Sequence, residues 1–220
     1  MAEGFGAFGK MPSLGDFFRM NLSAGFVQAW DMWLQSGMVT AKTALGEEWS
    51  DAYLSAPIWR FTLPAGVAGS HSISGVMMPS VDRVGRLYPL TLAAAHHSGQ
   101  TALRHLANRL VFEALEETAL AALEDGATKE NLGYALQDHR WIIPEPAPVM
   151  GHTYAGPMPP AQILAADVLA AQHGDACIWS ASMEGDNRLL VTPGLPQGND
   201  VIALFDTAAP VWSANGLGPV

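Results

Sequence analysis

The chain has 220 residues, of which 49% are hydrophobic and only 15% charged, where an average soluble domain carries roughly 25% charged residues. That length fits one domain, and the apolar content suffices for a full core, which excludes intrinsic disorder over most of the sequence. With 11 Lys and Arg against 21 Asp and Glu the net charge is -10, which argues against binding a nucleic-acid backbone, since that needs clustered cations.

Residues 4–10 (GFGAFGK) read as a short strand, followed by a turn-rich segment to Asp16. Ser23 is placed to cap a helix from about Ala24 to Leu45, along which Phe26, Trp30, Trp33, Leu34 and Met38 recur at helical spacings and form a core stripe. Trp49 falls in a second short helix that ends before Pro57. Ile58 to Leu63 alternates apolar and polar residues, as a half-buried strand does. Ser72 to Met78 reads as another strand, stopped by Pro79, and PSVDRVGR then carries turn residues. Leu87 to Ala95 is almost continuously apolar, the mark of a central strand buried on both faces, with Pro89 placing the start of pairing after it.

Thr101 to Leu123 reads as one long helix, with Leu103, Leu106, Leu110 and Leu115 on one side and Glu113, Glu116, Glu117 and Glu124 on the other. Asp125-Gly126 ends it, and a shorter helix spans about Lys129 to Asp138. Six of the 15 prolines lie in residues 141–160, which excludes regular structure and reads as a connection across the surface. A helix over Ala161 to Gln172 follows. Strands Ala176 to Met183 and Arg188 to Thr192 then form a hairpin joined by Glu184-Gly185-Asp186-Asn187. A helical turn from Val201 to Phe205 precedes a tail, 207–220, expected to be loose. These elements predict a single α/β (α+β) domain over 1–220, a largely antiparallel central sheet flanked by helices. The main sheet and helices fall in 1–140, the Pro-rich connection in 141–160, and the closing helix and hairpin in 161–206.

Charge is uneven along the chain. Residues 1–110 sum to +1, whereas residues 111–220 hold 14 acidic and 3 basic groups. One face or end is therefore acidic, either solvated or steering a basic partner. No basic stretch leads into an apolar run, and no stretch approaches the roughly 18 apolar residues of a membrane helix. The expectation is a cytoplasmic protein without membrane insertion. Cys177 is the single cysteine, so neither an intrachain disulfide nor a cysteine zinc site can form.

Gly4, Gly6 and Gly9 satisfy G-x-G-x-x-G, and Gly4 to Lys10 satisfies G-x-x-x-x-G-K. Both motifs bind phosphate only between a strand and a helix start. Met11 stands where Ser or Thr would hold magnesium, Pro12 interrupts a helix start, and Phe5 and Phe8 favour a strand. His96 and His97 are adjacent and point to opposite faces of a strand, and no histidine spacing suits a metal. The serines at 70, 72, 74 and 80 lack a nucleophile elbow, Cys177 has no basic neighbour, and neither Glu47-Glu48 nor Glu116-Glu117 has acid–base spacing. No catalytic, cofactor-binding or metal residue is expected, and no cofactor. What stands out is Lys10, Asp16, Arg19, Asp31, Arg60, Asp82 and Arg86, charges in Gly/Pro-rich or aromatic surroundings. Opposite charges among them could pair to fix loops around the sheet. Alternatively, the same loops form one recognition surface on a rigid scaffold.

The runs GAFGKMPSLGDFFRMNLS, FVQAWDMWLQSG, APIWRFTL and GVMMPSVDRVGRLYPLTL, in that order and spacing, resemble the TagF family of type VI secretion-associated proteins. IWSASMEG, Gly194-Leu195-Pro196 and IALFD resemble its closing pieces, with Ile178-Trp179 standing where two adjacent aromatics are expected. The resemblance is most specific over 1–97. It implies a bacterial cytoplasmic accessory factor that regulates secretion negatively after translation, by binding the forkhead-associated scaffold of the system. Some members carry a fused PP2C-type phosphatase, and none is expected in these 220 residues. Signature residues implied by the match include Lys10, Asp16, Arg19, Asp31, Trp33, Arg60, Asp82 and Arg86. Readings from other classes are a small-ligand or nucleotide-binding enzyme and a structural subunit of the apparatus.

Overall fold

A computed structural model of the chain describes residues 4–96, 99–142 and 158–213. Its strands are β1 (Gly6–Gly9), β2 (Phe18–Met20), β3 (Trp59–Leu63), β4 (Ser72–Met78), β5 (Leu90–His96), β6 (Cys177–Met183) and β7 (Asp186–Thr192). They form one antiparallel sheet of seven strands in the order β2-β1-β5-β4-β3-β6-β7. The helices are α1 (Ala24–Leu45), α2 (Trp49–Ser55), α3 (Thr101–Ala107), α4 (Arg109–Ala121), α5 (Lys129–Gln137), α6 (Pro160–His173) and α7 (Asn199–Ala203). The fold is α+β, as expected.

Period-two alternation gives the sheet two inner faces. Phe8, Trp59, Phe61, Leu63, Ile73, Met77, Ala93, Cys177 and Trp179 face one way and pack with α1, α2 and α7. Ala7, Val76, Met78, Leu90, Leu92 and Ala94 face the other way, toward Phe112, Leu115 and Ala119 of α4 and Leu132 and Leu136 of α5. A smaller cluster joins Ala102 and Leu103 of α3, Ala166 of α6 and Ile178. The two long helical segments thus lie on opposite faces. Ser23 caps α1 by accepting from the Phe26 amide at 3.3 Å. Trp30 fills the centre of the first layer, its ring centroid 4.7 Å from those of both Trp33 and Phe61. Its indole N–H donates to Thr91 at 2.9 Å, so the one polar atom of a buried tryptophan is satisfied.

Three expectations are corrected. The helix from Thr101 to Leu123 is two helices, broken at Asn108. The Asn108 amide donates to Arg104 O at 2.8 Å and to Ile142 O at 3.0 Å, while its Oδ1 accepts from Ile142 N at 2.7 Å. An asparagine side chain competes with the helix for backbone groups, and the break changes phase so that Leu110 is exposed while Leu103 and Leu115 are buried. Strand β2, too short to show a period, falls after Asp16, where the sequence pattern assigns no element. The hairpin between β6 and β7 turns tightly on Glu184-Gly185, with Gly185 at φ 75° and Asp186 and Asn187 already paired. Residues 207–213, expected to be loose, are packed: Trp212 stacks on Trp59 with centroids 5.8 Å apart and donates to Ala203 O at 3.1 Å. Most of the Pro-rich connection (143–157), His97 and the rest of the tail (214–220) lie outside the described residues.

Candidate functional site

Three of the signature charges, Lys10, Asp82 and Arg86, meet where β1 ends and the β4–β5 loop returns. An isolated bridge between Val81 and Leu87 closes that loop, and Gly85, at φ 83°, donates to Asp82 O at 2.9 Å. Asp82 is buried inside it. Its Oδ1 accepts from the amides of Val84 at 3.1 Å and Arg86 at 2.9 Å. Its Oδ2 accepts from Arg86 Nε at 2.6 Å and faces Lys10 Nζ at 3.0 Å. Burial alone would raise the Asp82 carboxyl, but the donors from Arg86, Lys10 and Val84 override it and hold the carboxyl well below the usual range. The site needs Asp82 ionised, and the geometry keeps it so.

The same groups clamp the preceding loop. Arg86 Nη2 donates to Gly15 O at 2.7 Å, and Arg83 N donates to Leu14 O at 2.9 Å. Lys10 Nζ sits 4.9 Å from the centroid of Phe17, a cation–π distance. Beneath, Ser80 Oγ donates to Lys10 O at 2.9 Å, and the buried Tyr53 hydroxyl donates to Ser80 O at 2.9 Å while accepting from Ser80 N at 3.0 Å. Gly9 is required here: at φ 132° its added Cβ would stand 2.0 Å from Pro89 O.

Of the other singled-out residues, Asp31 joins this end of the molecule. It accepts from the Tyr88 hydroxyl at 2.6 Å and from Gln35 at 2.9 Å, and Tyr88 packs edge-on against Phe17 at 4.6 Å. Asp16 and Arg19 are exposed; Asp16 accepts from the Phe17 amide at 2.8 Å, and Arg19 stands opposite Phe8 on the edge strand. Arg60 and Trp33 are elsewhere. Arg60, on the opposite sheet face, makes a bidentate pair with Glu116 at 2.6 and 2.7 Å, tying β3 to α4. Trp33 is core, donating to Pro196 O at 2.8 Å. Sequence reasoning missed Tyr53, Ser80, Tyr88 and Phe17, whose roles depend on long-range packing. Arg83 stood within the quoted run, between Asp82 and Arg86.

Gly6 and Gly9 of the nucleotide-like motif lie in strand β1, with Gly4 just before it, and β1 leads to β2 and no helix. A Cβ on Gly6 would stand 2.3 Å from Met20 O, so this residue serves close backbone approach. Under α3 runs a buried polar seam: His105 reaches Ser180 Oγ at 2.8 Å and Thr62 Oγ1 at 3.0 Å, and Ser74 reaches Thr62 at 3.0 Å and His96 at 2.8 Å. Burial, then the Arg60 charge, pushes His105 down to about 3, so it is neutral at physiological pH with both ring nitrogens engaged. The seam satisfies interior polar groups that would otherwise be costly. Among the described residues no three His, Cys, Asp or Glu side chains gather as metal ligands would. A groove of about 720 Å³ runs between α1 and residues 195–201, lined by Met32, Trp33, Val67 and Leu195, and a second of about 560 Å³ between α4 and α5 by Glu117, Glu124 and His139. Neither contains a signature charge. No helix of the described residues is long and apolar enough to cross a membrane.

Comparison with known proteins now places the chain. The family model of the TagF N-terminal domain, type VI secretion system-associated, matches residues 6–138, more than half of the sequence. That span holds every element of the Lys10–Asp82–Arg86 cluster. No curated protein matches. Among solved structures, the crystal structure of PA0076 from Pseudomonas aeruginosa PAO1 is 33% identical, with a TM-score of 0.72 over 98% of this chain and 96% of that one. The chain belongs to the TagF family of type VI secretion-associated proteins.

Proposed function

We propose that this protein is a non-enzymatic, cytoplasmic negative regulator of type VI secretion, acting by protein–protein binding to the forkhead-associated scaffold of the system. The observation that carries the reading is the use of the signature charges. Lys10, Asp82 and Arg86 are directed at one another and at the loop backbone, so they build a fixed shape. Groups that act on a substrate would instead converge on a cleft. A preformed surface loses little conformational freedom on docking, which suits sequestration: the rigid face covers a surface the scaffold needs for assembly.

Deletion of the gene tests the regulatory role. Effector secretion under repressing conditions is expected to rise, and to fall again when the chain is supplied in trans. Secretion unchanged by deletion would end the reading.

A further inference from the structure

We infer that the loop end of the sheet around Lys10, Asp82 and Arg86 is a docking surface for an acidic segment of a partner protein, an inference that rests on the binding role proposed above and gives it a place and a chemistry. The chain has a net charge of -10. Yet this end gathers Lys10, Arg19, Arg83 and Arg86 against Asp16, Asp31 and Asp82, with Asp31 held by the Tyr88 hydroxyl and Gln35. Asp82 is buried and already meets two cations, so its charge is not presented outward. Solvent meets Arg19, Arg83 and Arg86, together with the apolar side chains of Phe17 (45% exposed) and Val84 (71% exposed).

The two loop arginines share one piece of backbone. Arg86 Nη2 donates to Gly15 O, and Arg83 Nη2 lies 3.0 Å from the place a Cβ on Gly15 would occupy. Arg86 already gives Nε to Asp82 and Nη2 to Gly15 O, so Arg83 supplies the guanidinium fork that suits a carboxylate, with Arg86 adding its charge beside it. Arginine beside aromatic and aliphatic side chains is also the composition of energetic centres at protein interfaces. Electrostatics then selects the place: the rest of the molecule is strongly negative, so an acidic segment is repelled elsewhere and steered here. The clamp to Leu14 and Gly15 holds the surface in position before the partner arrives.

The test is amide chemical-shift mapping on the full chain with a glutamate-rich peptide of about ten residues, a lysine-rich peptide of equal length serving as control. Shifts are expected at residues 14–19 and 82–87 with the glutamate peptide, weakening as salt rises from about 50 to about 300 mM. Arg83→Glu is expected to weaken binding at least about tenfold without lowering the melting temperature, because the residue holds Leu14 through its backbone amide. Arg83→Gln, which removes charge without reversing it, is expected to give an intermediate loss. Shifts confined to other faces, no shifts, or the same shifts with the lysine peptide would overturn the inference. Titration with the forkhead-associated scaffold separates the two readings. Peptide binding here without scaffold binding keeps the surface and refutes the proposed partner; scaffold binding indifferent to Arg83→Glu keeps the partner and refutes the surface.

Discussion

Tyr53→Phe removes a single oxygen atom, and the structure states what that atom does. The ring is fully buried among Trp49 and Phe205 and would stay so. The lost hydroxyl accepts from Ser80 N at 3.0 Å and donates to Ser80 O at 2.9 Å. Ser80 O keeps a second donor, the Tyr88 amide at 3.1 Å, whereas Ser80 N–H is left unpaired in the interior. One buried orphan donor costs about 1–3 kcal/mol. At roughly 2–4 °C per kcal/mol for a domain of this size, the melting temperature should fall by about 2–12 °C. Urea unfolding of the wild type and the variant measures the loss, with Tyr134→Phe as control, since Tyr134 is exposed and should change stability by less than about 0.5 kcal/mol. A Tyr53→Phe loss equally small would refute the claim that this hydroxyl holds the base of the signature loop.

Three further predictions follow the ionisable groups. His105, ordinarily titrating near 6.5, is pushed down to about 3 in the fold, so the unfolded chain takes up a proton that the native state refuses. Stability should therefore decline as pH falls from 6.5 toward 3, and His105→Gln should flatten that decline in urea midpoints; an unchanged slope would contradict it. Asp82 is shifted the opposite way relative to its charge: its folded carboxyl titrates below the unfolded one, so its stabilisation is present above about pH 4 and fades in acid. Asp82→Asn should accordingly be less stable than wild type at neutral pH, with the gap closing in acid; a gap independent of pH would show that the charge is not what matters. Burial, then the neighbouring Asp175 charge, pushes the buried Cys177 thiol up to about 12. It should react with an aromatic disulfide reagent only when urea unfolds the chain, and rapid labelling of the native protein would contradict its placement.

Local rules made much of this fold legible. The Ser23 cap and the tryptophan stripe located α1, and Pro89 located the start of β5. What escaped was decided by distant partners. Nothing in the periodicity of 101–123 announces that Asn108 binds Ile142, and nothing near Glu116 announces Arg60, distant in sequence on β3. The candidate site was legible as a set of residue types, because charge is scarce in this chain and these charges sat among glycines and prolines. Its division into interior and surface was not. Lys10 and Asp82 are buried while Arg19 and Arg86 are exposed, a division set by the long-range bonds that tie the 80–88 loop to Lys10, Leu14, Gly15 and Tyr53. Pairing to fix loops and presenting a surface were competing readings of one set of charges; in the structure Lys10, Asp82 and Arg86 do the first, and the second is what we propose for the exposed loop end.

Under the proposed function, this member of the family presents a fixed surface to another protein. Calorimetric titration of the full chain into the purified forkhead-associated scaffold measures it most directly. Saturable binding at a fixed stoichiometry, with neither protein chemically altered in mass, is the predicted result; absence of binding, or a covalent change in the scaffold on mixing, would contradict it.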